Sequence, residues 1–411
     1  MEGIFFELFV LSLHMENLSV YERLLDLLSV QVTGVSVEEK VLYIFCETTC
    51  KTSKCPICGK DTHRINQYTT REIRDLNMGI REVYLRVNMK QFYCKDCPRY
   101  FHESLDFAEL NEGYTHRQKD FMFLVSQQQS YQQTGRLLNI NSKTVERVVL
   151  SKCEATVAVS ARYAQVKRLG IDEQSHKKGK QDYICILTDL DRGTIVDILP
   201  DRKKETLEAH FKKLGKAFCE QITDVSCDYW RGYISASQNC FPNASITLDR
   251  FHITKLLNAP LDKYRKELRK DHKDNDHFKH IKWSLFKQYQ NLSDKEIDNL
   301  ELAFEDAPEL KKMYFTREKF HHILDNNTQI SQALLDVEKW IQEVKDNNIS
   351  KFDDFVKTLN NTKNYVTNYV KNRISNAVTE GANNLIRAVR RFSFGMPNFE
   401  HLRLRALAFS Y

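Results

Sequence analysis

VKRLGIDEQSHKKGKQDYICILTDLD, residues Val166–Asp191, reads as two adjacent strands joined by a basic turn. The first strand, around Leu169–Ile171, ends in the acidic pair Asp172–Glu173. The second, Tyr183–Thr188, is an unbroken apolar run with β-branched residues, as a central strand buried on both faces requires. A carboxylate at the end of a buried strand is costly unless a cation, a donor or water meets it. A lone Asp in that place is more simply a turn residue. The choice depends on what else the chain delivers to the same edge.

After a turn at Asp191–Gly193, Thr194–Leu199 gives a third strand. DRKKETLEAHFKKL is then an amphipathic helix with Leu207, Phe211 and Leu214 on one side. ITDVSCDYW is a fourth strand with Asp228 at its end, RGYISASQNCFP a short helix stopped near Pro242, and ASITLDRFH a fifth strand ending in Asp249 and His252. Three strands, helix, strand, helix, strand is the order of a ribonuclease-H-like α/β fold with a mixed sheet. There the first and fourth strands lie side by side, which puts Asp172 and Asp228 at one edge. Two carboxylates forced together repel unless a cation neutralises them. Hard oxygen ligands in a partly hydrated site suit Mg²⁺ or Mn²⁺. Metal so bridged can activate water and stabilise a leaving oxygen at phosphorus.

A further acid is expected from a helix near the C-terminus. There Val378, Ala382, Leu385 and Val389 form an apolar stripe, while Glu380, Asn384, Arg387 and Arg391 form a polar one. Gly395 and Pro397 end that helix. One Glu thus shares a face with an Asn and two arginines, a metal ligand beside phosphate clamps. Between Lys255 and Lys371 the chain is mostly helical and densely charged, an insertion into the catalytic fold. His272, His277 and His280 cluster in it without regular pairing and read as solvated. Trp283 and Trp340 are suited to stack on an unpaired base, though core packing is the simpler use of each.

Upstream, Val35–Glu47 reads as strand. CPICGK carries Cys55 and Cys58, and FYCKDCPRYF carries Cys94 and Cys97 at the end of a strand, Val83–Tyr93. Two Cys-x-x-Cys pairs on tight turns, a small hairpin apart, suit tetrahedral Zn²⁺ held by four thiolates. Four thiolates close the shell, so this zinc is structural. Arg64, Arg71, Arg74, Arg81 and Arg86 thread the module and are candidates for phosphate contact. Thr115–Gln127 is helical by pattern. Ser130 then caps a short helix to Leu138, Asn139–Asn141 makes the turn, and Ser142 caps a third helix. Leu137, Leu138, Ile140, Val145 and Val148 are spaced as in a helix-turn-helix. Ser142, Lys143, Thr144 and Arg147 open the third helix, where a recognition helix meets base edges.

The 411 residues allow two to four domains. The net charge of +6, from 61 basic and 55 acidic residues, is only mildly basic, so its distribution matters more than its sum. Eleven cysteines without a secretory signal point to a reducing compartment. The apolar opening MEGIFFELFVLSLH lacks a basic leader and is too short to span a bilayer. It reads as a core segment, or as upstream of a true start at Met15.

The stretches CPICG…YCKDCPRYF, GIDEQSHKKGKQDYICILTDLDRGTIVDILPDR, CDYWRGYISASQNCFPNASITLDRFHITKLLNAPLDKYR and SNAVTEGANNLIRAVRRFSFGMPNFEHLRLRAL resemble a transposase of the ISL-three insertion-sequence family. The resemblance implies an Asp–Asp–Glu strand transferase, with Asp172 as the first carboxylate, Asp228 as the second and Glu380 as the third. DRFH resembles the Cys/Asp-x-x-His element of Mutator-type transposases, so Asp249 and His252 support the site. Asp249 also remains the alternative second acid. The partner implied is double-stranded DNA, at the element's inverted repeats and at the target, with cleavage and strand transfer dependent on Mg²⁺ or Mn²⁺. Lys177, Lys178, Arg231, Arg250, Arg387 and Arg391 are assigned to phosphate contact. A homodimer or higher assembly follows by analogy; a cytoplasmic, nucleoid-associated location is expected, and no membrane partner, as no stretch reads as a transmembrane segment. The expected layout is strands and zinc knuckle over 1–105, helix-turn-helix over 106–160, catalytic domain over 161–254 and 371–411, and helical insertion over 255–370. A non-catalytic DNA-binding regulator, or a nuclease that does not join strands, is the alternative.

Overall fold

The computed structural model describes residues 15–157, 159–177, 182–271, 277–374 and 377–410. The segment before Met15, Lys178 and His272 lie outside them, as does the side chain of Lys177. Two compact units are present, one of residues up to Ala155 with Phe392–Phe394, the other of Thr156–Arg391 with Gly395–Tyr411.

In the first unit β1 (Val30–Val37) and β2 (Val41–Thr48) form an antiparallel hairpin. The single strand expected over Val35–Glu47 is thus broken by the polar turn Glu38–Lys40, closed by Glu38 N–H donating to the Val41 carbonyl at 2.8 Å. A small hairpin, β3 (Ser53–Lys54) and β4 (Asp61–Thr62), precedes two long strands, β5 (Ile65–Met78) and β6 (Arg81–Cys94), and a short β7 (Arg99–His102). The main sheet runs β1-β2-β6-β5, with β7 also on β6. Along β6 the buried side chains Val83, Leu85, Val87 and Met89 alternate with half-buried ones, the period of a sheet with one wet face.

Three of the five arginines fasten this unit together. Arg74 is buried, pairs with Glu82 at 2.8 Å and donates to the carbonyl of Leu138 at 2.7 Å. Arg71 donates to the carbonyls of Glu109 and Glu112. Arg86 pairs with Glu72 at 3.0 Å and covers the Tyr43 ring at 4.0 Å. The phosphate contact expected of these three gives way to that bracing. Arg64 and Arg81 stay exposed.

Three helices follow, His116–Ser126, Tyr131–Leu138 and Ser142–Thr156. Ser130 caps the second in a reciprocal box with Gln133, satisfying two amide groups that would otherwise lack partners. Asn139 turns the chain at φ +52°. A Cβ on Gly135 would lie 2.5 Å from the Ile140 carbonyl, so the tight turn requires glycine there. The cap of the third helix falls one residue earlier than expected, on Asn141, whose side chain accepts from Lys143 N–H at 2.9 Å. Leu138, Ile140, Val145 and Val148 are buried as their spacing predicts, but Leu137 is 64% exposed. Lys143 and Arg147 are exposed; Ser142 and Thr144 are half-buried.

The second unit is built on β8 (Arg168–Lys177), β9 (Asp182–Asp189), β10 (Thr194–Leu199), β11 (Asp224–Cys227) and β12 (Ser245–Leu248), in the order β10-β9-β8-β11-β12. The outer pairs β10–β9 and β9–β8 are antiparallel, while β8–β11 and β11–β12 are parallel. First and fourth strands therefore adjoin. β8 does not stop at Asp172: it stays paired with β9 as far as Lys177↔Asp182. It loses its other neighbour after Ile171↔Cys227, so beyond that point the edge is open.

The helical region begins earlier than Lys255, because Arg250–Asp271 is one continuous helix. It takes His252 out of the fifth strand and into the helix's first turn. The helices Pro308–Asn326, Ile330–Asp346 and Asp353–Thr367 share one hydrophobic cluster with the sheet, running from Leu169 and Val225 to Phe320, Trp340 and Leu359. Trp340 donates its indole N–H to the Thr316 carbonyl at 2.8 Å in this core. Trp283, by contrast, is 68% exposed. His277 contacts Asp306 at 3.0 Å, and His280 is exposed. Among the described residues no helix is long and apolar enough to cross a membrane.

Candidate active site

Strand register brings the acids together. Ile171, Cys227 and Leu248 are partners across β8, β11 and β12, so the residues one step on, Asp172, Asp228 and Asp249, follow three adjacent strand positions. The helix Ala377–Phe392 crosses beside them. A notch at Gly170 admits it: a Cβ there would lie 2.3 Å from Thr188 Oγ1 and 3.1 Å from Thr379 Oγ1. The two threonine hydroxyls are 3.0 Å apart in the buried seam. One turn further on, Asn383 donates to Asp172 Oδ2 at 2.7 Å, and Gln174 donates to the Asn383 carbonyl at 3.1 Å.

A cleft of about 740 Å³ opens over these residues, lined by Asp172, Asp228, Asp249, His252, Glu380 and Arg387 among others. Ligand atoms of Asp172, Asp228 and His252 all lie within 4.8 Å of one another. His252 Nε2 is 3.0 Å from Asp228 Oδ1. It is not aligned for a hydrogen bond, and that oxygen is buried with no hydrogen-bond partner. Burial, with Asp172, Asp249 and Glu173 nearby, pushes the Asp228 carboxyl up to about 9. Carboxyl groups crowded around a buried oxygen that lacks a hydrogen bond are what a divalent cation relieves. The carboxylates of Asp172 and Asp228 are the hard oxygen donors that Mg²⁺ or Mn²⁺ prefers, so they fit such an ion, with the His252 imidazole, a softer donor, beside them.

Glu380 lines the same cleft from the first turn of its helix, exposed and outside that close group. Asp249 is buried beside the group and also outside it. Glu173, the other half of the acidic pair, is spent on the wall: Arg202 donates to it at 2.6 Å and Tyr233 at 3.2 Å. Arg202 also lies over the rings of Tyr183 and Trp230 at 4.1 and 4.2 Å. Among the basic residues assigned to phosphate, Arg387 is exposed in the cleft, bonded to Asn384 at 2.9 Å. Arg231 and Arg391 are exposed. Arg250 lines the cleft too, while pairing with Asp325 and donating to Tyr369 at 3.2 Å. A larger cavity, about 1240 Å³, lies in the helical region. Two ion pairs lie within it, Lys319 with Glu343 and Lys339 with Asp336.

Asn383 escaped the sequence reading, which chose its neighbour Asn384. The signal was there: Asn383 is a polar residue on the buried stripe, beside Ala382 and Ile386. Partners that orient a metal ligand typically carry about 10- to 100-fold in metal affinity. Asn383→Ala is therefore expected to weaken Mn²⁺ binding about 10- to 100-fold by calorimetry. An unchanged affinity rules out the amide as the holder of Asp172.

In the first unit, Cys55, Cys58, Cys94 and Cys97 bring their sulfurs within 4.8 Å of one another. The β3–β4 hairpin carries one pair and the β6–β7 turn the other. Gly59, at φ +73°, closes the first turn by donating to the Cys55 carbonyl at 2.9 Å. Backbone N–H groups of Cys58 and Ile57 lower the Cys55 thiol to about 7, while the neighbouring thiols, Cys58 first, and burial push Cys97 up to about 12. Four sulfurs at such range are the donor set of a structural Zn²⁺.

Comparison with known proteins adds two family matches. Residues 169–406 match a family described as transposase. Residues 51–97 match one described as the zinc finger of transposases IS204, IS1001, IS1096 and IS1165. The chain is similar to the transposase for insertion sequence element IS1001 of Bordetella parapertussis, 23% identical over 376 residues, covering 90% of this chain and 91% of that one. It is also similar to the transposase for insertion sequence element IS1557 of Mycobacterium tuberculosis, 23% identical over 372 residues, covering 83% and 82%.

Proposed function

This chain belongs to the ISL3 family of transposases, and on that footing we propose that it binds the terminal inverted repeats of its element, cuts there and joins the freed end to target DNA. The observation that carries this reading is the group Asp172, Asp228 and His252 around an unsatisfied carboxylate oxygen. The sheet order β10-β9-β8-β11-β12 supports a ribonuclease-H-like catalytic domain. Asp172 and Asp228 would hold a divalent cation and Glu380 would complete the triad from its helix, while Asn383 fixes the Asp172 carboxylate. His252 backs Asp228, with Asp249 the alternative second acid. The bound ion supplies charge neutralisation at the scissile phosphate and an activated attacking oxygen. The chain's own part is to align water, or a 3′-hydroxyl, in line with the leaving oxygen and to hold the strand with Arg387.

The helix Ser142–Thr156 presents Ser142, Lys143, Thr144 and Arg147 to the major groove, beside a zinc-held ribbon. Arg231 and Arg391, with Lys177 and Lys178, remain proposed phosphate contacts. Work on two element ends at once implies a dimer or larger assembly on DNA, in the nucleoid. One feature favours a DNA-binding regulator without cleavage: Glu380 stands outside the close group. The deciding experiment incubates the full chain with duplex carrying the element's terminal sequence, Mn²⁺ and target plasmid. Joined product is expected, and none with EDTA. Binding without any cut or joined strand overturns the catalytic reading in favour of the regulator, and cutting without joining leaves a nuclease.

A further inference from the structure

Phe251 stands in the chain between Asp249 and His252, and its ring lines the same cleft as both. It is 68% exposed. The backbone forces this: Asp249 and Ile253 are buried and His252 faces Asp228. Residue 251 is therefore rotated out of the protein by helical spacing. The ring and that of His252 are T-shaped, centroids 5.5 Å apart with planes at 76°, and this contact leaves most of Phe251 open to solvent. The surrounding groups are of another kind. Acids, Arg250, Thr254, Asn383 and Arg387 are among the rest of the lining, matched to a cation, a sugar or a phosphate. The other aromatic of the lining, Tyr183, already carries the Arg202 guanidinium at 4.1 Å. The flat apolar part of a nucleotide is its base, and an exposed ring beside phosphate-handling groups is complementary to it.

We propose that Phe251 is a nucleobase subsite: its ring stacks on an unpaired base next to the scissile phosphate and so positions that phosphate over Asp172 and Asp228. The proposal rests on the phosphoryl-transfer reading above. A base inside a duplex has both faces covered by its neighbours, so the base taken by Phe251 has left the stack. Phe251 is a positioning residue; it touches the substrate beside the bond that breaks and takes no part in proton or metal chemistry.

The test uses the full chain, duplex of the element's terminal sequence and Mn²⁺. Phe251→Ala is expected to lower the cleavage rate at saturating DNA about 10- to 100-fold, with DNA affinity, Mn²⁺ affinity and melting temperature unchanged. Phe251→Trp keeps the rate. An abasic nucleotide at the stacked position slows the native chain as much and slows Phe251→Ala no further. Equal rates for Phe251→Ala and the native chain, or independent addition of the two losses, overturn the subsite. A metal-free readout separates this from failure of the transposase reading. With 2-aminopurine at each flanking position in turn, binding of the native chain changes the emission at one position and Phe251→Ala removes that change. If the emission responds but no strand is cut, the subsite stands and the catalytic reading falls. If no position responds, the subsite falls whatever the cleavage result.

Discussion

Asp228→Asn is expected to stop strand cleavage and, in metal-free buffer, to make the protein more stable. With Asp228 as a proposed ligand of the cation, its loss would remove charge stabilisation worth several kcal/mol at the transition state, so the rate should fall on the order of 10³-fold. The stability gain follows from the proton balance. The native Asp228 carboxyl is pushed up to about 9 by burial and by Asp172, Asp249 and Glu173. In the unfolded chain an Asp loses its proton near pH 4. Below that both states hold the proton and the residue is neutral to stability. As pH rises from about 4 toward 9 only the folded state retains it, so folding grows progressively more costly. An amide carries no charge in either state and escapes that cost. The gain should be near zero at pH 4 and about 1–3 kcal/mol at pH 8. Thermal unfolding with EDTA across that range measures it. Adding Mn²⁺ should reverse the ranking, since only the native chain is stabilised by binding the ion. A variant less stable than the native chain at pH 8 without metal would falsify the assignment of buried charge strain to Asp228. Full cleavage by the variant would pass the role of second acid to Asp249.

Removing zinc, or replacing Cys94 by Ser, should collapse the β3–β4 hairpin and the β6–β7 turn while the rest of the sheet survives. Structural zinc contributes on the order of 10 kcal/mol or more to small finger domains, and β3 and β4 have only two residues each to replace it. Ile44, Ile73, Val83 and Leu85, by contrast, form an apolar core that owes nothing to the metal. Hydrogen exchange should therefore rise sharply over residues 53–62 and 94–102 and little over β1 and β2. Affinity for terminal-repeat DNA should fall at least about 10-fold, and Mn²⁺ binding at the acidic cleft should not change. Metal analysis should find one zinc per native chain. Chains that hold none, or a Cys94→Ser variant that binds DNA normally, refute the role given to the ribbon.

What the sequence disclosed and what it hid divide by the range of the interactions. Alternation and apolar runs identified every strand of the second sheet, because a buried strand writes its period locally. Asp172 and Asp228 could be paired from strand order alone, since parallel register carries one residue past Ile171 and Cys227 on both strands. The cysteine pairs were equally legible, as their spacing is set by the metal. Hidden were partners chosen by packing between distant segments. Nothing near Arg74 in sequence announces that its guanidinium seeks the Leu138 and Asn139 carbonyls. Asn383 was missed because one step around a helix separates a solvated amide from one that grips Asp172. The place of His252 in the group came from the helix starting at Arg250, directly after the fifth strand, which swings the imidazole back over Asp228.

The helix Ala377–Phe392 bears Thr379 in the Gly170 notch, Glu380 at the cleft and Asn383 on Asp172. Three consecutive jobs on one stiff rod cannot be performed separately. Any slide that swings the glutamate inward also tugs the amide that steadies the first aspartate. Ion occupancy and the seating of this rod are then two faces of a single equilibrium, and reciprocity requires that whatever strengthens one strengthens the other by the same factor.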